Sequence, residues 1–88
     1  MITRQLTITN KLGLHARAAA KLVAIASRHD SRIEVIHGER RVDARSIMGL
    51  LTLGAARGTE VAVTADGQDA DAAMAEIEDL FARRFDEQ

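Results

Sequence analysis

The sequence predicts an α+β fold: a four-stranded antiparallel sheet covered on one face by three helices, in the order β-α-β-β-α-β-α. Three observations lead there. Each predicted strand has only one convincing apolar face, the pattern of a sheet packed on one side and wet on the other. Two longer segments repeat apolar residues at three- and four-residue spacing, as helices lying on such a sheet do. A chain of 88 residues has room for one core and two layers, so residues 1–88 are expected to form one domain.

The elements follow in order. Residues 2–9 alternate, with Leu6 and Ile8 set against Gln5, Thr7 and Thr9, and predict a strand. Residues 10–13 read as a loop. Residues 16–27 predict a helix whose stripe is Ala19, Leu22, Val23 and Ala26, and its alanines favour helix and close packing. Residues 32–36 predict a second strand with Ile33 and Val35 on one face. His37-Gly38 turns the chain, and residues 39–42 return as a hairpin partner.

Residues 46–53 predict a short helix with Ser46 as N-cap and Gly54 as its stop. Residues 60–65 predict the last strand, with Val61, Val63 and Ala65 on one face. Asp66-Gly67 turns. Residues 69–84 predict the strongest helix, with Ala70, Ala73, Met74, Ile77, Leu80 and Phe81 inward. Asp69 and Asp71 at its start and Arg83 and Arg84 at its end complement the helix dipole. Proline is absent, so glycines punctuate the chain.

Composition excludes several classes. The chain is 47% apolar and 28% charged, ordinary for a globular protein. It has no Cys, which rules out a disulfide framework and thiolate metal sites. The three histidines lack metal-ligand spacing, so neither a metal nor another cofactor is expected. His29 and His37 read as solvated loop residues. No apolar run approaches the roughly 20 residues of a membrane span, and Met1 leads directly into a polar, strand-like segment. No membrane insertion and a cytoplasmic location are therefore expected. The net charge of −1 is unevenly spread, +5 over residues 1–45 and −6 over residues 46–88. The basic half is either ordinary solvated surface or a face for acidic partners and phosphate.

The chemistry concentrates in Gly13-Leu14-His15-Ala16-Arg17, where a loop becomes a helix. A neutral imidazole is a competent nucleophile near neutral pH, and the positive end of a helix disfavours the imidazolium. Once phosphorylated, such a ring needs donors for the phosphoryl oxygens. Backbone N–H groups of Ala16, Arg17 and Ala18 would supply them, with charge-assisted donors from the Arg17 guanidinium. A single histidine at such a place is, however, more often a helix cap or an exposed loop residue. Ser46 in Arg45-Ser46-Ile47-Met48-Gly49 is an N-cap on any reading; a phosphate there would be tolerated by the helix and would repel an acidic partner. The helix after it is apolar nearly all round. Two turns cannot bury every side, so Ile47, Met48 and Leu51 should leave an exposed patch for partners, extended by Leu14.

Two separated motifs, Asn10-Lys11-Leu12-Gly13-Leu14-His15-Ala16-Arg17 and Arg45-Ser46-Ile47-Met48-Gly49-Leu50-Leu51, together with Leu53-Gly54-Ala55-Ala56-Arg57-Gly58, closely resemble HPr. This is the histidine-containing phosphocarrier family of the bacterial phosphoenolpyruvate-dependent phosphotransferase system. The resemblance runs along essentially the whole chain. It implies an HPr-like open-faced β-sandwich and a phosphocarrier that is not an autonomous enzyme. His15 would accept phosphate at Nδ1 from enzyme I and pass it to enzyme IIA domains, assisted by Arg17. Ser46 would be the site of an HPr kinase/phosphorylase, and Ile47, Met48 and Leu51 would dock partners. The carrier is expected to act as a monomer.

One departure stands out: many members have Pro where this chain has Ala18. Proline would stiffen the helix start but supplies no chemistry. The Ser46-Ile47-Met48-Gly49 segment resembles the sugar-type, kinase-regulated form, while Phe85-Asp86-Glu87-Gln88 and the Asn10-Lys11-Leu12 loop also occur in nitrogen-type carriers. A general HPr is the reading, with a nitrogen-type, NPr-like carrier of purely regulatory targets as the alternative. A nucleic-acid binder is disfavoured because Phe81 and Phe85 are the only aromatics and no stacking platform exists. An independent enzyme is disfavoured because no second general base or nucleotide motif accompanies His15.

Overall fold

Alternation along the strands decides which side of the sheet the helices cover. The computed structural model describes residues 1–87 and runs β1 (Ile2–Thr7), α1 (Ala16–Ser27), β2 (Arg32–His37), β3 (Arg40–Asp43), α2 (Ile47–Leu51), β4 (Glu60–Asp66) and α3 (Ala70–Ala82). A 3-10 turn, Arg84–Asp86, follows α3. The strands form one antiparallel sheet in the order β1-β4-β2-β3. Val35 pairs with Val63 and Ile33 with Ala65, so these β-branched and small side chains share the face on which the helices pack, and all four are buried. The predicted fold class and element order are those observed.

The helix faces follow from spacing. On α1 the buried residues are Ala18, Ala19, Leu22, Ile25 and Ala26. Ile25 takes the inward place expected of Val23, which is only partly buried. On α3 the six predicted inward residues are all buried. Strand β1 ends at Thr7, two residues short of expectation. Ile8 leaves the ladder but is fully buried, donating to Thr59 O at 2.9 Å.

Three local differences bear on the site. Helix α3 stops at Ala82, not residue 84, because Phe85 folds back beneath it: the ring is fully buried, 4.8 Å from that of Phe81. This reversal puts Arg84, Phe85 and Asp86 in the left-handed region, at φ 57°, 56° and 61°. Asp69 caps no N–H of its own helix. It reaches across to the α1–β2 turn, accepting the Ser31 hydroxyl, the Ser31 N–H at 2.9 Å and the Asp30 N–H at 3.0 Å. These donors, the Ser31 hydroxyl foremost, hold its carboxyl well below the usual range.

The remaining histidines are not solvated loops. His29 is nearly buried, with Nδ1 3.0 Å from Asp69 and Nε2 3.2 Å from Glu76. His37 ends β2, two residues after Val35, so its ring falls on the helix-covered side, where Nδ1 lies 3.2 Å from Leu53 O. Among the described residues no helix is long and apolar enough to cross a membrane.

Candidate functional site

Gly13 sets the entry to α1. Its φ is +68°, and a Cβ there would sit 2.6 Å from Ala55 O and 2.9 Å from Ala56 Cα. Only glycine fits so close to another backbone. Leu14 then donates to Ala55 O at 2.9 Å, which locks the loop against residues 55–56. His15 follows as the N-cap of α1, extended at φ −82° and ψ −179°, with no side-chain bond to the helix. Its carbonyl accepts from Ala19 N–H at 2.8 Å. The N–H groups of Ala16, Arg17 and Ala18 find no acceptor among the described residues, as the first turn of a helix requires. Ala18 itself is fully buried, so its methyl occupies packed space.

The His15 ring is engaged from an unexpected direction. Nε2 lies 2.6 Å from Glu87 Oε2, and the same oxygen accepts from Arg17 Nε at 3.2 Å. The other carboxylate oxygen accepts from Asn10 Nδ2 at 2.9 Å, while Asn10 also donates to Gly13 O at 2.7 Å. Asn10 is fully buried. The Asn10 amide, then His15 and Arg17, hold the Glu87 carboxyl below its ordinary value against the opposing effect of burial. The neighbouring Asp86 is likewise lowered, by Arg83 first and by Lys21, which donates to it at 3.1 Å. Asp86 and Glu87 thus lie among Lys11, Arg17 and Lys21.

Asn10 and Glu87 were not among the residues singled out from the sequence. Asn10 lay inside the recognised motif but carried no assigned role. Glu87 lay inside the Phe85-Asp86-Glu87-Gln88 segment shared with nitrogen-type carriers but carried no assigned role.

The second predicted element sits beside this one. Ser46 Oγ accepts from Gly49 N–H at 2.9 Å, so it is the N-cap expected. Ile47, Met48 and Leu51 are 39%, 72% and 37% exposed, which is the predicted patch. Leu14 does not extend it: its side chain is 5% exposed and belongs to the core. With its N–H pinned to Ala55, the side chain can only point inward. Leu12, 62% exposed, is the apolar residue this loop presents. A shallow groove lined by Leu12, Leu14, His15, Leu51 and Ala55 joins the histidine to the patch. Among the described residues no three His, Asp or Glu converge to hold a metal, and both phenylalanines are buried.

Comparison with known proteins agrees in sequence and in shape. Residues 2–83 match the family model described as the PTS HPr component phosphorylation site. The chain is 48% identical to a phosphocarrier protein NPr of Shewanella violacea, covering 98% of this chain and 94% of that protein. It is 47% identical to a phosphocarrier protein HPr of Xylella fastidiosa, covering 99% and 98%. The crystal structure of an HPr from Thermoanaerobacter tengcongensis superimposes with a TM-score of 0.96 at 40% identity, covering 100% of this chain and 99% of that one.

Proposed function

The chain belongs to the HPr family of phosphotransferase-system phosphocarriers, and we propose that it takes a phosphoryl group from phospho-enzyme I onto His15 Nδ1 and hands it to enzyme IIA domains. As a phosphocarrier it holds and relays the group; it is not an autonomous catalyst. The observation that carries the assignment to His15 is the open first turn of α1. The ring stands at a helix start whose N–H groups on Ala16, Arg17 and Ala18 have no other acceptor among the described residues. A phosphoryl group on the ring brings negative oxygens to those donors, and the exposed Arg17 guanidinium adds charge. The partner would seat on Ile47, Met48 and Leu51, which the groove connects to His15. Acceptance and release on one face suit a one-domain, monomeric, cytoplasmic carrier.

Ser46 is the regulatory site in this reading, phosphorylated by an HPr kinase/phosphorylase. Its hydroxyl caps α2 at the edge of the docking patch, so added charge would act on the partner rather than on the fold. The acid-stable phosphate expected from ATP and that kinase should be lost in Ser46→Ala. A nitrogen-type role is the second reading, favoured by the 48% identity to a protein named NPr. Competition between a sugar-type and a nitrogen-type enzyme IIA domain for the phosphorylated chain separates the two.

The direct test is intact mass after incubation with phosphoenolpyruvate and enzyme I. One acid-labile phosphate should appear, and His15→Ala should gain none. No added mass, with a reference carrier phosphorylated by the same enzyme I, would end the proposal.

A further inference from the structure

Building on the carrier role of His15, we propose that Glu87 is a positioning residue for phosphoryl transfer, holding the ring in the tautomer that leaves the Nδ1 lone pair for phosphorus. A carboxylate only accepts hydrogen bonds, so the 2.6 Å contact between Glu87 Oε2 and His15 Nε2 puts the hydrogen on Nε2. In the neutral ring the lone pair is then on Nδ1, which has no partner among the described residues. Free imidazole in water exchanges between two tautomers; only this one can attack through Nδ1.

The carboxylate is itself held in place. Asn10, fully buried, spends both Nδ2 hydrogens on Gly13 O and Glu87 Oε1. Its Oδ1 is left buried without a partner among the described residues. A native fold tolerates an orphaned acceptor where the group serves another end; here that end is a pair of donors fixing Glu87 to the His15 loop. From the other side, Phe85 is buried and the left-handed run of residues 84–86 turns Glu87 back onto the ring. Arg17 meets the same carboxylate through Nε alone, so its two terminal nitrogens keep their hydrogens for an incoming phosphoryl group.

The step balances without a proton leaving the ring. As the Nδ1 lone pair forms the N–P bond, the donor's bond to phosphorus breaks and its electron pair stays on the donor. Nε2 keeps its hydrogen throughout, and the positive charge that develops on the imidazole faces the Glu87 carboxylate. In the onward transfer the same contacts return the ring to its starting tautomer.

The test measures the ring and the rate together, on the full chain. The 15N signals of the His15 side chain, in its neutral form, should show Nε2 protonated and Nδ1 bare. In Glu87→Ala the two should move toward the averaged values of free imidazole, and transfer from phospho-enzyme I should slow about tenfold, the scale of one lost charge-assisted hydrogen bond. Glu87→Gln keeps one acceptor oxygen and should fall between. A packing role alone would leave the tautomer unmoved. Unchanged ring signals and rate in Glu87→Ala overturn the proposal, and so does a faster Glu87→Ala, which would make the carboxylate a competitor for Arg17. Failure of the unsubstituted chain to take any phosphate condemns the carrier reading instead, so the two failures are distinct.

Discussion

Phe85→Ala tests whether the chain end is held under strain. The ring is fully buried and packs at 4.8 Å and 56° on Phe81. Where the backbone stays in place, deleting such a ring costs about 3–5 kcal/mol. Here the backbone need not stay. Arg84, Phe85 and Asp86 all have positive φ, and left-handed backbone costs roughly 1–2 kcal/mol per non-glycine residue. The anchoring ring and the strain are therefore of similar size. The polar contacts of Asp86 and Glu87 tip the balance toward attachment. Without the ring, the end should detach and release its strain, so urea unfolding should show a loss of about 1–3 kcal/mol instead of the full core penalty. Amide exchange at Asp86 and Glu87 should become fast, and the His15 ring should behave as in Glu87→Ala. A loss of 4 kcal/mol or more (roughly the upper half of the core range) with residues 86–87 still protected would refute the strain account.

Three further outcomes follow from the geometry. Gly13→Ala places a Cβ 2.6 Å from Ala55 O at φ +68°; it should cost about 2 kcal/mol or more, read by urea midpoint, and displace His15. Arg17→Ala removes a side chain that is 66% exposed, so circular dichroism and the unfolding midpoint should hold while transfer slows about 10- to 100-fold; equal rates would deny the guanidinium its role. The Asp69 carboxyl is lowered by Ser31 first. Its contribution is therefore fully present above the unfolded value of about 3.9 and fades as pH falls toward the folded value. The stability gap between the wild-type chain and Asp69→Asn should narrow below about pH 4, and a gap independent of pH would contradict the assignment.

Most of this fold was legible because its signals are local. Val61, Val63 and Ala65 alternate, and the α3 stripe repeats at helical spacing; burial followed both. Ser46 is a cap by residue type and was found as one. The misjudged residues are those whose partners lie far along the chain. Leu14 looked like surface because it neighbours His15, but its N–H is held by Ala55. His29 looked solvated because its turn is polar, but α3 brings it Asp69 and Glu76.

Glu87 is the limiting case, because nothing near it in sequence marks it as a partner of His15. Left-handed backbone is usually announced by Gly or Asn, and residues 84–86 are Arg, Phe and Asp. What bends the chain there is the burial of Phe85, which depends on an assembled core. The contact with His15 then spans 72 residues. The one sequence clue stood at the other end: Asn10 is a polar side chain in a glycine-closed loop beside His15, where a buried amide must find partners. Asking what Asn10 donates to leads to Glu87. The proposed phosphoryl site is therefore closed by the turn over residues 84–87, and a truncation or extension near residue 87 should alter the His15 ring while leaving the sheet and its helices unchanged.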